Sequence, residues 1–364
     1  VIREYSEVVG HGGDRSLLGE TPWLGCKKRI PLEKTDPAPA VLEMGDRGMG
    51  NINKGLKRNR AGFILPPRLR PGDRVAVVAP AGPLRQREQE LAQRSMETLR
   101  AWGLEPCGHE LSASRIPYLA APDEARAEQL RWALTSAEIR GIFCLRGGYG
   151  SMRLLPLLEE DLLKENPKVL VGFSDVTALL LGLGTRAGVV TFHGPTLASS
   201  SLASGPDSPT AQALRRAVME SHPQEPITGE IWQEGEAEGP LLGGCLSLIS
   251  ALMGTDFFPE LEGCILFLED VGEPLYRLDR MLYQLKLGGV LGRIAGLALG
   301  NLGGGPRGKR ILKELVLEAV GRRIPVLAGL PCGHGARNLT LTLGAWVRLD
   351  KKGLLIFMEA GVSG

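Results

Sequence analysis

Val169-Leu170-Val171-Gly172-Phe173-Ser174-Asp175-Val176 is the stretch on which the reading of this chain turns. A short apolar run rich in valine stops at a glycine, presents a serine, and passes into the apolar segment 177–188. That order predicts a buried strand, a tight turn and a helix. A serine at such a turn is exposed at the carboxyl end of a sheet, close to backbone N–H groups. Serine alone is a weak nucleophile, so the turn matters only if a base and an orienting acid lie elsewhere.

Outward from this turn, strand and helix patterns alternate. Residues 74–80 read as a buried strand, 85–102 as a helix stopped by Gly103, and 123–135 as a second helix. Residues 141–145 read as a strand, 153–164 as helical, and 169–171 as a third core strand. Such alternation predicts a parallel, Rossmann-like α/β sheet covered by helices on both faces. Between 199 and 226 the composition shifts to Ser, Pro, Gly and polar residues, which predicts a linker over 201–235. Beyond it come a helix over 246–252, a strand over 264–268, an amphipathic helix over 276–286, and strands at 294–299 and 326–327. Alternating segments at 339–349 and 354–358 are expected to be strands packed on this second domain. The expected architecture is therefore an α/β nucleophile domain over 66–200 and a smaller, β-rich C-terminal domain over 236–364. Residues 1–65 mix Gly, Pro and charge without periodicity, and read as a disordered extension.

The chain has 364 residues and a net charge of +2, with no basic stripe in its body. A dedicated nucleic-acid binder is not expected. No apolar run of membrane-spanning length occurs, and residues 1–10 lack the basic-then-apolar pattern of a secretory signal. A cytoplasmic protein with no membrane partner is expected. The six cysteines are scattered without a C-x-x-C pair, as in a reducing compartment. The five histidines include no H-x-x-x-H pair, so neither a metal nor another cofactor is expected. Gly303-Gly304-Gly305-Pro306-Arg307-Gly308-Lys309-Arg310 resembles a phosphate loop. Arg310 stands where a magnesium-binding Ser or Thr belongs, and the nucleotide-hydrolase reading fails there.

Three further segments carry chemistry. Arg146-Gly147-Gly148-Tyr149-Gly150 follows a strand, and its glycines let backbone N–H groups approach a ligand closely. Leu268-Glu269-Asp270-Val271-Gly272-Glu273 offers three carboxylates at a strand end, and spacing does not choose among them. His334 lies between glycines after a strand, free to reach into a cleft as a general base, with His193 as the competing candidate.

Together the pieces resemble the LD-carboxypeptidase family of serine peptidases. The matching segments are 72–82, 146–150, Gly172-Phe173-Ser174-Asp175-Val176-Thr177-Ala178-Leu179, Thr191-Phe192-His193-Gly194-Pro195, 268–280 and 329–334, in order. The resemblance implies Ser174 as nucleophile, Glu269 as orienting acid and His334 as base, with the N–H groups of Gly148 and Asp175 as oxyanion hole. It places the active site between the two domains and implies a homodimer. The implied reaction is hydrolysis of the L,D-peptide bond to the terminal D-alanine of murein tetrapeptides, so the expected partner is a muropeptide. Arg146, Arg277 and Arg280 are candidates to bind the substrate carboxylate, and Tyr149 is a further substrate-binding candidate. Cys245 departs from the family's usual Asn, and Thr342 from a common proline. Three other readings stand beside this one. They are a related peptidase that cleaves acyl-adenylate antibiotics for self-immunity, a non-catalytic muropeptide-binding protein, and an esterase of the α/β-hydrolase type. The last lacks the second glycine of G-x-S-x-G.

Overall fold

The computed structural model describes residues 56–364 apart from Glu160, Gly304, Arg322 and Arg323. Residues 1–55, most of the expected extension, lie outside the described residues, as does part of the glycine-rich 303–310 loop.

The first half alternates as its sequence pattern requires. It runs β1 (Arg74–Val78), α1 (Gln86–Ala101), β2 (Glu105–Cys107), α2 (Asp123–Thr135) and β3 (Ile139–Cys144). After a 3-10 turn (Ser151–Leu157) come α3 (Leu162–Glu165), β4 (Val169–Gly172), α4 (Thr177–Gly182), α5 (Gly184–Ala187) and β5 (Thr191–His193). α1 is amphipathic, burying Ala92, Met96 and Leu99 at helical spacing, and its Glu88 carboxylate accepts the Arg85 N–H at 2.7 Å. The helix expected over 153–164 is instead the 3-10 turn followed by one α-turn. Pro156 lies inside the turn, where a proline cannot donate to an α-helical ladder.

Residues 201–235, read from composition as a linker, carry structure. α6 (Pro209–Met219) starts with Ser208 Oγ accepting the Ala211 N–H at 3.3 Å and with proline in its first turn. It buries Ala211, Leu214 and Val218 in the core of the first half. β6 (Ile227–Thr228) and β7 (Glu230–Gln233) follow. Ordered backbone also begins earlier than expected, since Ile64 is fully buried and bridges to Arg58 and Val189.

The remainder runs β8 (Ala237–Cys245), α7 (Leu246–Leu252), β9 (Ile265–Glu269), α8 (Leu275–Leu287), β10 (Gly296–Leu299) and α9 (Gly305–Val320). It closes with β11 (Val326–Ala328), β12 (Leu341–Leu343), β13 (Trp346–Leu349) and β14 (Leu354–Phe357). Two sheets result. The first has order β12-β5-β4-β3-β1-β2 and the second β6-β14-β13-β8-β9-β10-β11-β7. In the first, β2, β1, β3, β4 and β5 are parallel, and in the second the central four strands are parallel with antiparallel flanks. The expected α/β unit and β-rich C-terminal unit are both present, with one crossing. β12, expected on the second domain, pairs antiparallel with β5 and closes the edge of the first sheet.

The sheets dock where their strands end. Thr177 Oγ1 at the start of α4 accepts the Cys245 N–H at 3.1 Å. Gly244, with φ +150°, packs so closely that a Cβ there would lie 2.7 Å from that hydroxyl. A glycine is therefore required on both counts. One apolar core runs through both sheets, including Ile142, Leu170 and Leu179 from one side and Leu242, Leu266 and Leu268 from the other.

Candidate active site

The turn at Ser174 follows directly on β4, all four residues of which are buried. Phe173 is fully extended, and Ser174 then takes φ +61° before a 3-10 turn leads into α4. Among the described residues Ser174 is the only non-glycine with a left-handed backbone. That conformation costs on the order of 1–3 kcal/mol and persists only where the surroundings enforce it. Gly147 lies directly against the turn, where a Cβ would come within 2.9 Å of Ser174 Cβ and 3.6 Å of Asp175 N. The following Gly148 has φ +108°. The loop is tied to the turn by Asp175, which is 3 % exposed and whose Oδ2 accepts the Ser151 N–H at 2.8 Å. Burial pushes the Asp175 carboxyl up, against the opposing pull of Ser151.

From the second sheet, Glu269 ends β9 and is completely buried. The loop after β11 carries His334. Its backbone N–H donates to Glu269 Oε2 at 3.0 Å, and its Nδ1 lies 2.7 Å from the same oxygen. Nε2 lies 3.0 Å from Ser174 Oγ. With Nδ1–H donating to the carboxylate, Nε2 is left to accept the serine hydroxyl proton. Two asparagines that the sequence reading passed over hold the loop. Asn338 Oδ1 accepts the Gly333 N–H at 2.8 Å, and Asn301 Nδ2 donates to the His334 carbonyl at 2.6 Å. Gly333 has φ +87°, and a Cβ there would fall on the Glu269 carboxylate. Burial pushes the Glu269 carboxyl up, but the imidazoles of His193 and His334 outweigh it and hold it at about 2.

The structure thus brings Ser174, His334 and Glu269 together and separates the other acids from them. Asp270 is engaged by the N–H groups of Ser247 and Val271, each at 2.8 Å, and Glu273 pairs with Arg277 at 3.4 Å. A cleft of about 550 Å³ opens at Ser174 and His334. Phe173, Arg146, Glu88, Thr196 and three serines, Ser199, Ser200 and Ser201, line it. Of the four substrate-binding candidates only Arg146 lines this cleft, with its Nε on Glu88 Oε1 at 2.9 Å. Tyr149 is 52 % exposed and meets Tyr118 edge-on, while Arg277 and Arg280 stay on α8, the latter over the Tyr276 ring. Ser199, Ser200 and Ser201 open the Ser- and Pro-rich stretch, so composition does not mark them as part of a cleft. His193, the competing base, is fully buried 3.7 Å from Glu269 and does not reach Ser174 within hydrogen-bonding distance.

A serine hydrogen-bonded to an imidazole that a buried carboxylate holds, on a two-sheet α/β scaffold, has the arrangement of a serine hydrolase, the class that includes the serine-type peptidases. The chain belongs to the LD-carboxypeptidase family. Residues 75–194 match the LD-carboxypeptidase N-terminal domain and residues 238–349 the LD-carboxypeptidase C-terminal domain. A Synechocystis protein whose name assigns carboxypeptidase activity provisionally is 39% identical over 295 residues, covering 79% of this chain and 95% of that one. The murein tetrapeptide carboxypeptidase of Pseudomonas aeruginosa is 33% identical over 291 residues, covering 76% and 93%. Among solved structures, the microcin C7 self-immunity protein MccF in complex with aspartyl sulfamoyl adenosine superposes with a TM-score of 0.73. It shares 26% identity and covers 82% of this chain and 99% of its own. That self-immunity protein is known from Escherichia coli.

Proposed function

We propose that this chain is a serine LD-carboxypeptidase that hydrolyses the L,D-bond to the terminal D-alanine of murein tetrapeptides. The observation that carries the reading is the unbroken contact from Ser174 Oγ through His334 to Glu269, at 3.0 and 2.7 Å. In this reading His334 Nε2 takes the serine proton as Oγ attacks the scissile carbonyl, and Glu269 stabilises the imidazolium that forms. The N–H groups of Gly148 and Asp175 receive the developing oxyanion. The same imidazole returns its proton to the departing D-alanine amine, and water releases the acyl-enzyme by the reverse sequence. Arg146 is the cation available in the cleft for the terminal carboxylate. Glu88 engages its Nε, and in this reading the Nη side of the guanidinium binds that group.

The name of the Pseudomonas relative supports a muropeptide substrate, and the MccF complex supports an aminoacyl-nucleotide analogue as the alternative. The cleft wall favours the first. Its one aromatic carbocycle, Phe173, is packed on His334 at 4.8 Å and against His193 at 6.0 Å, while Thr196, Ser199, Ser200 and Ser201 add four hydroxyls to the lining. A polar peptide suits such a wall better than a purine, which needs a free aromatic face. Mass spectrometry of muropeptides with L,D and D,D termini, offered beside an aminoacyl sulfamoyl adenosine, tests this. D-alanine loss from the L,D substrate alone is expected, and cleavage of the nucleotide alone would replace the reading. The proposal includes a cytoplasmic site of action and a homodimer, to be tested by fractionation and by analytical ultracentrifugation.

A further inference from the structure

The array described above uses one oxygen of Glu269. Oε2 receives both the Nδ1 and the backbone N–H of His334, whereas Oε1 has no hydrogen-bond partner among the described residues. A buried carboxylate oxygen without a donor is expensive, and natural structures rarely leave one. At 3.7 Å from it is Nε2 of His193, itself fully buried and also without a partner on either ring nitrogen among the described residues. Two unsatisfied polar groups thus point at each other, short of a hydrogen bond by about half an ångström.

The position of His193 is fixed by the first sheet. It ends β5 in register with Gly172 of β4 and with Leu341 of β12, two residues in sequence from Ser174 on the β4 side. Its ring is held edge-on against Phe267 of β9, with centroids 5.2 Å apart, and against Phe173 at 6.0 Å. Between these apolar rings, Nε2 lies 3.7 Å from the Glu269 carboxylate. The other ionisable groups gathered at that carboxylate are His334, the buried thiols of Cys245 and Cys332, and the adjoining Asp270.

We propose that His193 is a positioning residue that donates Nε2–H to Oε1 of Glu269, so that the carboxylate carries an imidazole on each oxygen. Building on the Ser174, His334 and Glu269 assignment above, this donor fixes the rotation of the carboxylate that in turn aims His334. It also ties the acid of the second sheet to the nucleophile-bearing first sheet, and so couples the alignment of the site to the docking of the two halves.

The test has two arms. The first is a long-range proton–nitrogen correlation spectrum of the uniformly labelled full chain at neutral pH. It should show His193 as the neutral Nε2–H tautomer with a slowly exchanging proton. An Nδ1–H tautomer, with Nε2 bare, would overturn the pairing. This arm needs no substrate, so it stands even if the chain releases no D-alanine and the functional reading falls. The second arm compares His193→Phe with His193→Gln, whose amide restores a donor at similar reach. His193→Phe should lower kcat by about tenfold or more with KM little changed. His193→Gln should recover most of that loss. Identical behaviour of the two folded variants would sink the proposal, and should His193→Phe not fold, a near-wild-type kcat in His193→Gln together with the Nε2–H tautomer sustains it.

Discussion

Ser174 carries backbone strain and, in the proposed mechanism, the nucleophile, and substitutions there separate the two. Ser174→Ala removes the nucleophile but keeps a Cβ in the left-handed region. D-alanine release is expected to fall by about 10⁴-fold or more, with an unchanged denaturation midpoint. Ser174→Gly is equally inactive, but relief at φ +61° should leave it as stable as the wild type or more stable, by up to about 1 kcal/mol in urea titrations. Glu269 makes a prediction about pH. Its carboxyl is held at about 2 in the folded chain, below its ordinary value of 4.5. A depressed carboxylate contributes stability that is present above its unfolded pKa and lost as pH falls through the folded one. Stability should therefore decline between about pH 4.5 and 2, and Glu269→Gln should flatten that part of the curve in urea melts at stepped pH. A steeper decline in the variant would contradict the assignment.

At the scale of elements, the 147–151 loop and the turn at Ser174 are two pieces of one device. Asp175 clasps the loop through the Ser151 N–H, and Ser151 Oγ donates back to the Asp175 carbonyl at 2.5 Å. Asp175→Ala should orphan a buried N–H and lower stability by roughly 1–3 kcal/mol. It should also reduce kcat more than it changes KM, because the proposed oxyanion donors, the N–H groups of Gly148 and Asp175, would lose their common alignment. Gly147→Ala should be the sharper lesion. A methyl 2.9 Å from Ser174 Cβ has nowhere to go, and a nucleophile displaced by an ångström costs about a hundredfold in kcat. Steady-state kinetics on the L,D-tetrapeptide would expose either effect, and wild-type rates in Gly147→Ala would refute the close packing.

Across the whole molecule the two sheets share their core, and the chain passes between them more than once. β12 belongs to the first sheet although it follows six strands of the second and is itself followed by two more. Unfolding should therefore be a single cooperative transition in calorimetry, despite two family domains along the chain. Two well-separated peaks would show that the halves are independent. The strand–turn–helix at 169–188 and the order of the site segments were legible because they are local. Apolar periodicity and turn chemistry act over a few residues, and they fixed α2 and α7 to the residue. Long-range pairing hid the rest. β12 is two alternating leucines whose partner is chosen by β5, some 150 residues upstream, and composition alone could not tell the Ser-rich 199–201 cleft wall from a linker. Sequence likewise proposed a serine, several acids and two histidines, and family resemblance chose among them. Only tertiary structure put Oε2 of Glu269 on His334 and Oε1 opposite His193. The ends of β5 and β9 come from different sheets, and nothing local sets the distance between them.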